Sequence, residues 1–500
     1  MSNRIPRTTA TAPPKRLAAC IGVALCLAAP LASATTWTVN SCFDTNVGNP
    51  VSHTGTLRFV AQNAVTLDTI DLSTLACSTI TLTNGAIALI QENITLNGPS
   101  NGNLLITGKD PVNGVEADRI FTHTGTGLLH VSDMSIMYGY LVNASPTGSA
   151  NGGCIVSTAG SIQLDNVTVA ACQAIAYDAV AGGMFAYVDL TLNNSTISGN
   201  AAIASNVAVG GGVTAGHAMT LNHSSIIGNS ATGLGNGAEG GGAVTTTFSA
   251  SYSTIANNTA SGLIAIGGGI IASGGGATIL YSTVSDNIAD GPTGYAGAIV
   301  SAGTATIRNS TISGNHAGGP VGGILVSGAT QSVENSTIVF NSSGKGRKAA
   351  APYAYYASGL LFSASGSDVN VTMQGNLIAN NTYDAPTTGE NDLGTYATSV
   401  HSVTFIGSSN LILQTQQTIT GLTTTIAGVC PLLGPLRDNG GSTWTHALLS
   451  GSPGIDQDAH PPLVIDQRGS PRPSGLFADI GAYEVQQLEV VFNTSFEGCP

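Results

Sequence analysis

The residues best equipped for acid–base chemistry gather near one end of the 500-residue chain: Asp438, His446, Asp456, Asp466, Arg468, Asp479 and Glu484, with Arg437 beside them. Carboxylates and an imidazole within reach of a substrate are what general acid–base catalysis requires. The same residue types have a second use, because Arg–carboxylate pairs and Asp-capped turns hold together loops rich in Gly and Pro. The stretch reads GPLRDNGGSTWTHALLSGSPGID and then DQRGSPRPSGLFADIGAYE, with no nucleophile-elbow string. Its acids, His446 and Arg468 read as structural.

Elsewhere the material for catalysis is thinner. A glycoside hydrolase needs two carboxylates across one groove, yet Asp165, Asp189, Glu239, Asp286 and Asp290 are scattered through the chain. A lyase acting on acidic glycans needs a base and a cation against the uronate. Between Arg119 and Lys345 the sequence holds one cation, Arg308. Asp286 and Asp290 are spaced to share a calcium ion or to sit in a solvated loop. No cofactor is expected; calcium is the one for which a pair of ligands exists. A better-placed set for contacting a ligand is His223, Tyr252 and Tyr281, in a column with Asn194, Asn309 and Asn335. Rings and amides in a row can lie against a sugar chain, or stabilise a sheet by cross-strand stacking.

That column is part of a repeat. Val169, Ile197, Ile226, Ile255, Val284, Ile312 and Ile338 follow one another at 28, 29, 29, 29, 28 and 26 residues, and Ile378 continues the series. Three residues after each member from Ile197 onward stands Asn200, Asn229, Asn258, Asn287, Asn315, Asn341 and Asn381. A Gly marker runs in parallel at Gly153, Gly183, Gly212, Gly242, Gly269, Gly297 and Gly323. A constant period of this size means a solenoid. Strings such as TLNNSTISGN alternate briefly and then meet Gly or Asn, which leaves no room for a helix. The expected fold is all-β: a right-handed parallel β-helix of about 28-residue coils, with about three strands per coil. Each Ile, and the Ser two before it, should face inward and the intervening Thr outward. The Asn column reads as a structural ladder, with Asn at left-handed turn positions. GTLRFVAQNAV (Gly55–Val65) fits an amphipathic capping helix with Leu57, Val60, Ala61 and Ala64 on one face.

Composition agrees with this architecture. Hydrophobic residues make up 42% of the chain, charged residues 8%, and Gly occurs 65 times. Arg4, Arg7, Lys15 and Arg16 precede an apolar run to about Leu31 and an Ala32-Ser33-Ala34 cleavage site, the pattern of an export signal. Its removal would take the formal net charge from −13 to −17 (−13 minus 4), which argues against a nucleic-acid partner. The Lys345, Arg347, Lys348 cluster reads as a solvated loop. No later apolar run is long enough for an integral membrane span. Six cysteines remain, Cys42, Cys77, Cys154, Cys172, Cys430 and Cys499; they allow three disulfides in fifteen connectivities, with Cys154 and Cys172 placed to bridge a coil or an adjacent pair. No zinc-type spacing occurs among them.

The GPL-DNGG-T-TH-L and DQRG–R–DIGA-E runs, with ENDLG at Glu390–Gly394 upstream, resemble the choice-of-anchor Q domain family of bacterial surface proteins. The front end, TWTVNS followed by GTLRFVAQNA and DTIDLS, is similar to the N-terminal region of such proteins. The resemblance implies a secreted or surface-displayed β-helix attached by a variable C-terminal device, with no family-wide catalytic residues. The chain is thus expected to comprise an export signal (1–34), an N-terminal cap with first coils (35–125), regular coils (126–383), a C-terminal cap module (384–485) and a tail (486–500). The expected role is a non-enzymatic, adhesin-like or envelope scaffold, secreted or at the cell surface, with an extracellular polysaccharide or cell-surface glycan as partner. The alternative is a polysaccharide lyase or glycoside hydrolase on the same scaffold.

Overall fold

Each repeat forms one turn of a parallel coil. The structure is a computed structural model that describes residues 34–108, 118–344, 357–384, 388–415 and 417–486. The expected signal sequence up to Ser33, the Lys345, Arg347, Lys348 cluster and Cys499 lie outside the described residues.

One turn runs through Met184–Ala186, Leu190–Asn193, Thr196–Ser198 and Ala201–Val209. Each segment pairs in parallel with its equivalent 29 residues on, Leu190 with Met219, Thr196 with Ser225 and Ala201 with Ser230. A coil therefore has four strands, where the sequence suggested about three. The extra strand comes from TLNNSTISGN, which reads as one alternating run but breaks at Asn194, whose φ is +48°. A single left-handed residue turns the chain there without Gly or Pro to mark the corner.

The interior is built by repetition. Ile197, Ile226, Ile255, Val284, Ile312 and Ile338 are fully buried. The Ser two residues before each forms its own ladder: Ser195 N donates to Ser224 Oγ, Ser224 N to Ser253 Oγ and Ser253 N to Ser282 Oγ. The Asn column runs beside it. Asn200 Nδ2 donates to Asn229 Oδ1 at 2.9 Å, and the pattern passes through Asn258, Asn287, Asn315 and Asn341 to Asn381. These Asn residues do not take the left-handed turn themselves. The residue before each does (Gly199, Gly228, Asn257, Asp286, Gly314, Phe340, Asn380), which leaves the amide free to point inward. The Gly marker makes room for it: a Cβ on Gly212 would sit 2.9 Å from Asn229 Cγ and 2.7 Å from the Gly242 carbonyl oxygen of the next coil. On another side the core is an alanine stack that includes Ala202, Ala231, Ala260, Ala289 and Ala317.

At the front lies the helix Leu57–Asn63, capped by Thr56, with Leu57, Val60 and Ala61 buried. Gln91 Nε2 donates to the Ala61 and Ala64 carbonyls and fixes the helix end to the first coils. Disulfides join Cys42 to Cys77 and Cys154 to Cys172, and Cys430 is also disulfide-bonded. Strand stacking continues past residue 383, where the regular period ends: Val403–Ser408 and Leu411–Ile412 pair with the preceding coil, and Leu422–Thr423 and Ile426–Ala427 follow.

The chain then doubles back. Leu433–Arg437 and Thr445–Leu448 form an antiparallel pair, and residues 433–485 lie along the flank of the stack. Leu433, Leu448 and Ile480 pack on outward-facing Val339, Leu377 and Leu411. Gly481 N donates to Gly375 O, and Ala482 N to Thr337 Oγ1.

Candidate ligand-binding face

Thr196–Ser198, Ser225–Ile227, Thr254–Ala256 and Thr283–Ser285 stack in register into a narrow outward sheet. Their middle residues point into the core, so the outer positions present Thr196, Ser225 and Thr254 half-exposed in one row. The hydroxyl column faces outward from the coil as expected, but only part of it is open to solvent. Thr283, Thr311 and Thr337 are buried, because the C-terminal module covers them. Gln467 Nε2 donates to Thr283 Oγ1, Thr311 Oγ1 donates to Gln467 Oε1, and Asn309 Nδ2 donates to Ile465 O.

The ring column borders the same sheet on its N-terminal edge. His223, Tyr252 and Tyr281 all occupy the left-handed turn, with φ of 49°, 51° and 51°. Tyr252 and Tyr281 stack with centroids 4.8 Å apart and planes within 7°, and His223 lies 4.9 Å from Tyr252 at 40°. Asn194 continues the column in the open, whereas Asn309 and Asn335 are buried. At the opposite edge stand Asn257 and Asp286.

Trp444 closes this face. Thr283 Oγ1 donates to its carbonyl at 2.6 Å, and Thr443 Oγ1 donates to Tyr281 O. The main chain is pinned on both sides, yet the residue remains 56% exposed. Between the indole and the strands runs a groove of about 270 Å³, floored by Ser225, Ile227, Thr254, Ala256, Thr283 and Ser285 and edged by Asn257 and Asp286. Trp444 was not among the residues singled out by sequence; it occupies an unspecified position of the T-TH run. Two larger grooves, of 510 and 460 Å³, lie at the last coil near Ile412 and at the front near Phe43, and among the described residues neither has an ionisable group in its lining.

The acidic and basic residues of the module are occupied with backbone. Asp466 accepts from Arg468 N, Ser470 N and Glu484 N and pairs with Arg468 Nε at 2.9 Å. Asp479 accepts from Asp456 N and Val485 N; Glu484 accepts from Ser474 N and Asp479 N. Asp456 accepts from Phe477 N and Asp438 from Gly440 N. Arg468 lies 3.8 Å over the Tyr483 ring. Arg472, fully buried, reaches the Asp479 and Gly481 carbonyls and lies 3.4 Å from Glu484. Burial pushes the Glu484 carboxyl up to about 7, with Asp479 N–H and Arg472 pulling the other way. His446 Nδ1 bonds Gly434 O and Nε2 bonds Ser313 Oγ; complete burial lowers its pKa to about 4, so the imidazole is neutral.

A close His–carboxylate pair crosses the coils outside the module, and sequence spacing did not reveal it. His130 Nε2 lies 2.5 Å from Asp165 Oδ2, which also accepts from Gln163; Asn193 donates to the other oxygen. Burial works to raise the Asp165 pKa, but the bonds from Asn193, Gln163 and His130 prevail and hold it low. Among the described residues no group of three or more His, Cys, Asp or Glu gathers to hold a metal, so Asp286 and Asp290 form no such group. No described helix is long and apolar enough to cross a membrane.

No protein-family model and no curated protein matches the chain. Among solved structures it resembles the crystal structure of pectate lyase Pel9A at 12% identity and a TM-score of 0.39, over 90% of this chain and 97% of that one. The fold assignment rests on the strand pairing above.

Proposed function

We propose that this chain is an exported, non-enzymatic β-helix protein, secreted or held at the cell surface, that binds glycans on its Ser/Thr face in an adhesin-like or scaffold role. The disulfides are consistent with an oxidising, extracellular compartment. The choice-of-anchor Q resemblance supports the same placement and suggests attachment through C-terminal elements. The observation that carries the binding reading is the ring column. Asn, which tolerates φ above zero, occupies this turn at exposed 194 and at buried 309 and 335, but His223, Tyr252 and Tyr281 take it on the three consecutive coils between. Bulky residues there cost backbone energy, and stacked rings beside hydroxyls are a surface suited to sugars.

A glycan array on the purified mature chain, with released products read by mass spectrometry, tests this. Binding without cleavage, weakened by Tyr252→Ala and Tyr281→Ala, is the expected result. The second reading, a glycan-cleaving enzyme, rests on the His130–Asp165 pair. Cleavage that survives both Tyr changes and is abolished by His130→Gln would replace the first reading with the second.

A further inference from the structure

Resting on the glycan-binding reading, we propose that the groove under Trp444 selects neutral glycan chains over polyanionic ones, with the indole as the platform for a sugar ring. Three observations lead there. The groove walls carry hydroxyls and an amide, and their one ionisable group is an acid, Asp286. Hydroxyls donate and accept, as sugar diols do, and Asp286 can accept from a sugar hydroxyl. A uronate or sulfate chain would meet that carboxylate with no lining cation to offset it. Arg308, the one cation between Arg119 and Lys345, is engaged by Glu334 at 3.0 Å.

The second observation is the indole itself. Trp444 is flanked by Thr443 and Thr445, both buried, and its carbonyl accepts from Thr283 Oγ1 and Gln467 Nε2. An exposed ring on a fixed main chain is pre-organised for contact and loses little freedom on binding. Apolar C–H faces of a pyranose are its complement. Third, the module uses up the hydroxyls beyond this point: Thr311 and Thr337 bond Gln467 and Ala482 N. The free floor therefore starts at Trp444 and runs toward Ser225 and Thr196.

The chain has two tryptophans, and Trp37 is buried near the front, so a ligand-induced change in indole emission reports on Trp444. Titration of the mature chain with neutral glucans, mannans and galactans, and with polygalacturonate and alginate, should shift the emission with neutral chains alone, independently of salt. Read by titration calorimetry, because this variant lacks the reporter, Trp444→Ala should weaken binding of the neutral chains about tenfold, and Asp286→Asn should make weak binding of polyuronates measurable. Salt-sensitive binding confined to polyuronates would overturn the neutral preference and leave the glycan reading standing. So would binding lost in Tyr252→Ala and untouched in Trp444→Ala, which places the ligand on the ring column instead. Absence of binding to every glycan would overturn both.

Discussion

The coils between Thr196 and Asn315 and the module between Leu433 and Val485 solve the same problem, burying backbone without helices, by opposite means. In the coils, each interior bond is a copy of the one below it. Asn258 receives Asn229 as Asn287 receives Asn258, and no charged side chain enters the ladder along this stretch; at its far end Asn381 donates to Asp392. In the module nothing repeats. Its loops are pinned by single buried charges, Asp466, Arg472, Asp479 and Glu484, each bonded to specific N–H or carbonyl groups. The contrast separates two kinds of conspicuous residue. Acids and His446 in the module are consumed by structure, whereas the outward positions of the coils bear little of the fold and are free to carry recognition.

The largest effect should come from Arg472→Ala. It strands the buried Glu484 carboxylate, 3.4 Å from Arg472, and takes a donor from the Asp479 and Gly481 carbonyls; breaking a buried pair typically costs about 3–5 kcal/mol. Hydrogen exchange should show lost protection across 433–485 with the coils around Asn229 and Asn258 unchanged. Loss in both regions together would mean that the two are one cooperative unit and the contrast is false.

Acid should find the module next. The His446 pKa falls from 6.5 to about 4 on folding, so from about pH 6.5 down to 4 the unfolded state binds a proton that the folded state refuses. Stability is present above that window and falls as pH drops through it, by about 3 kcal/mol in all. Glu484 works in the opposite sense. Its pKa is raised from 4.5 to about 7, so its contribution is present below 4.5 and is lost as pH rises to 7. The two slopes offset where the windows overlap. His446→Gln should remove the acid limb and leave module stability declining with rising pH, read from urea midpoints at several pH values. An unchanged profile would remove His446 from the account.

How much of this was legible beforehand follows the same division. The period, the inward Ile and Ser columns, the existence of the Asn ladder and the helix at Leu57–Asn63 could be read because repetition and amphipathicity leave a one-dimensional trace; that each Asn follows the left-handed residue instead of being it could not. The corner at Asn194 left none, since Asn suits a strand end as well as a left-handed turn. The docking of the module did leave a mark: NSTIVFN at Asn335–Asn341 replaces NSTISGN, with Val339 at the place of Ser198, a change that looks like drift until Leu433 and Ile480 are seen against it. His130 and Asp165 were invisible because they meet diagonally; His130 pairs with Gln163 and Ser132 with Asp165. Trp444 was hidden because its meaning depends on Thr283, 161 residues away.

Within the coils, Ser253→Ala should cost about 1–2 kcal/mol, because it orphans the buried Ser224 N–H that donates to Ser253 Oγ. Neighbour-only coupling in a solenoid should confine the lost exchange protection to the adjacent turns. Spread into the module would show that the coils are less modular than their ladders suggest.

The smallest effect on stability, and the sharpest test of the contrast, belongs to Thr254→Val. Thr254 lies half-exposed in the middle of the groove floor, and valine keeps its shape and β-branching while removing the hydroxyl. A fold held by its inner ladders should register this within about 0.5 kcal/mol. Glycan binding, which would use that hydroxyl, should weaken several-fold in the same variant. If stability drops as far as in Ser253→Ala, the outward column is part of the scaffold and the free face does not exist. If stability and binding both stand, the face is free but the ligand lies elsewhere, and the ring column at Tyr252 becomes the place to look.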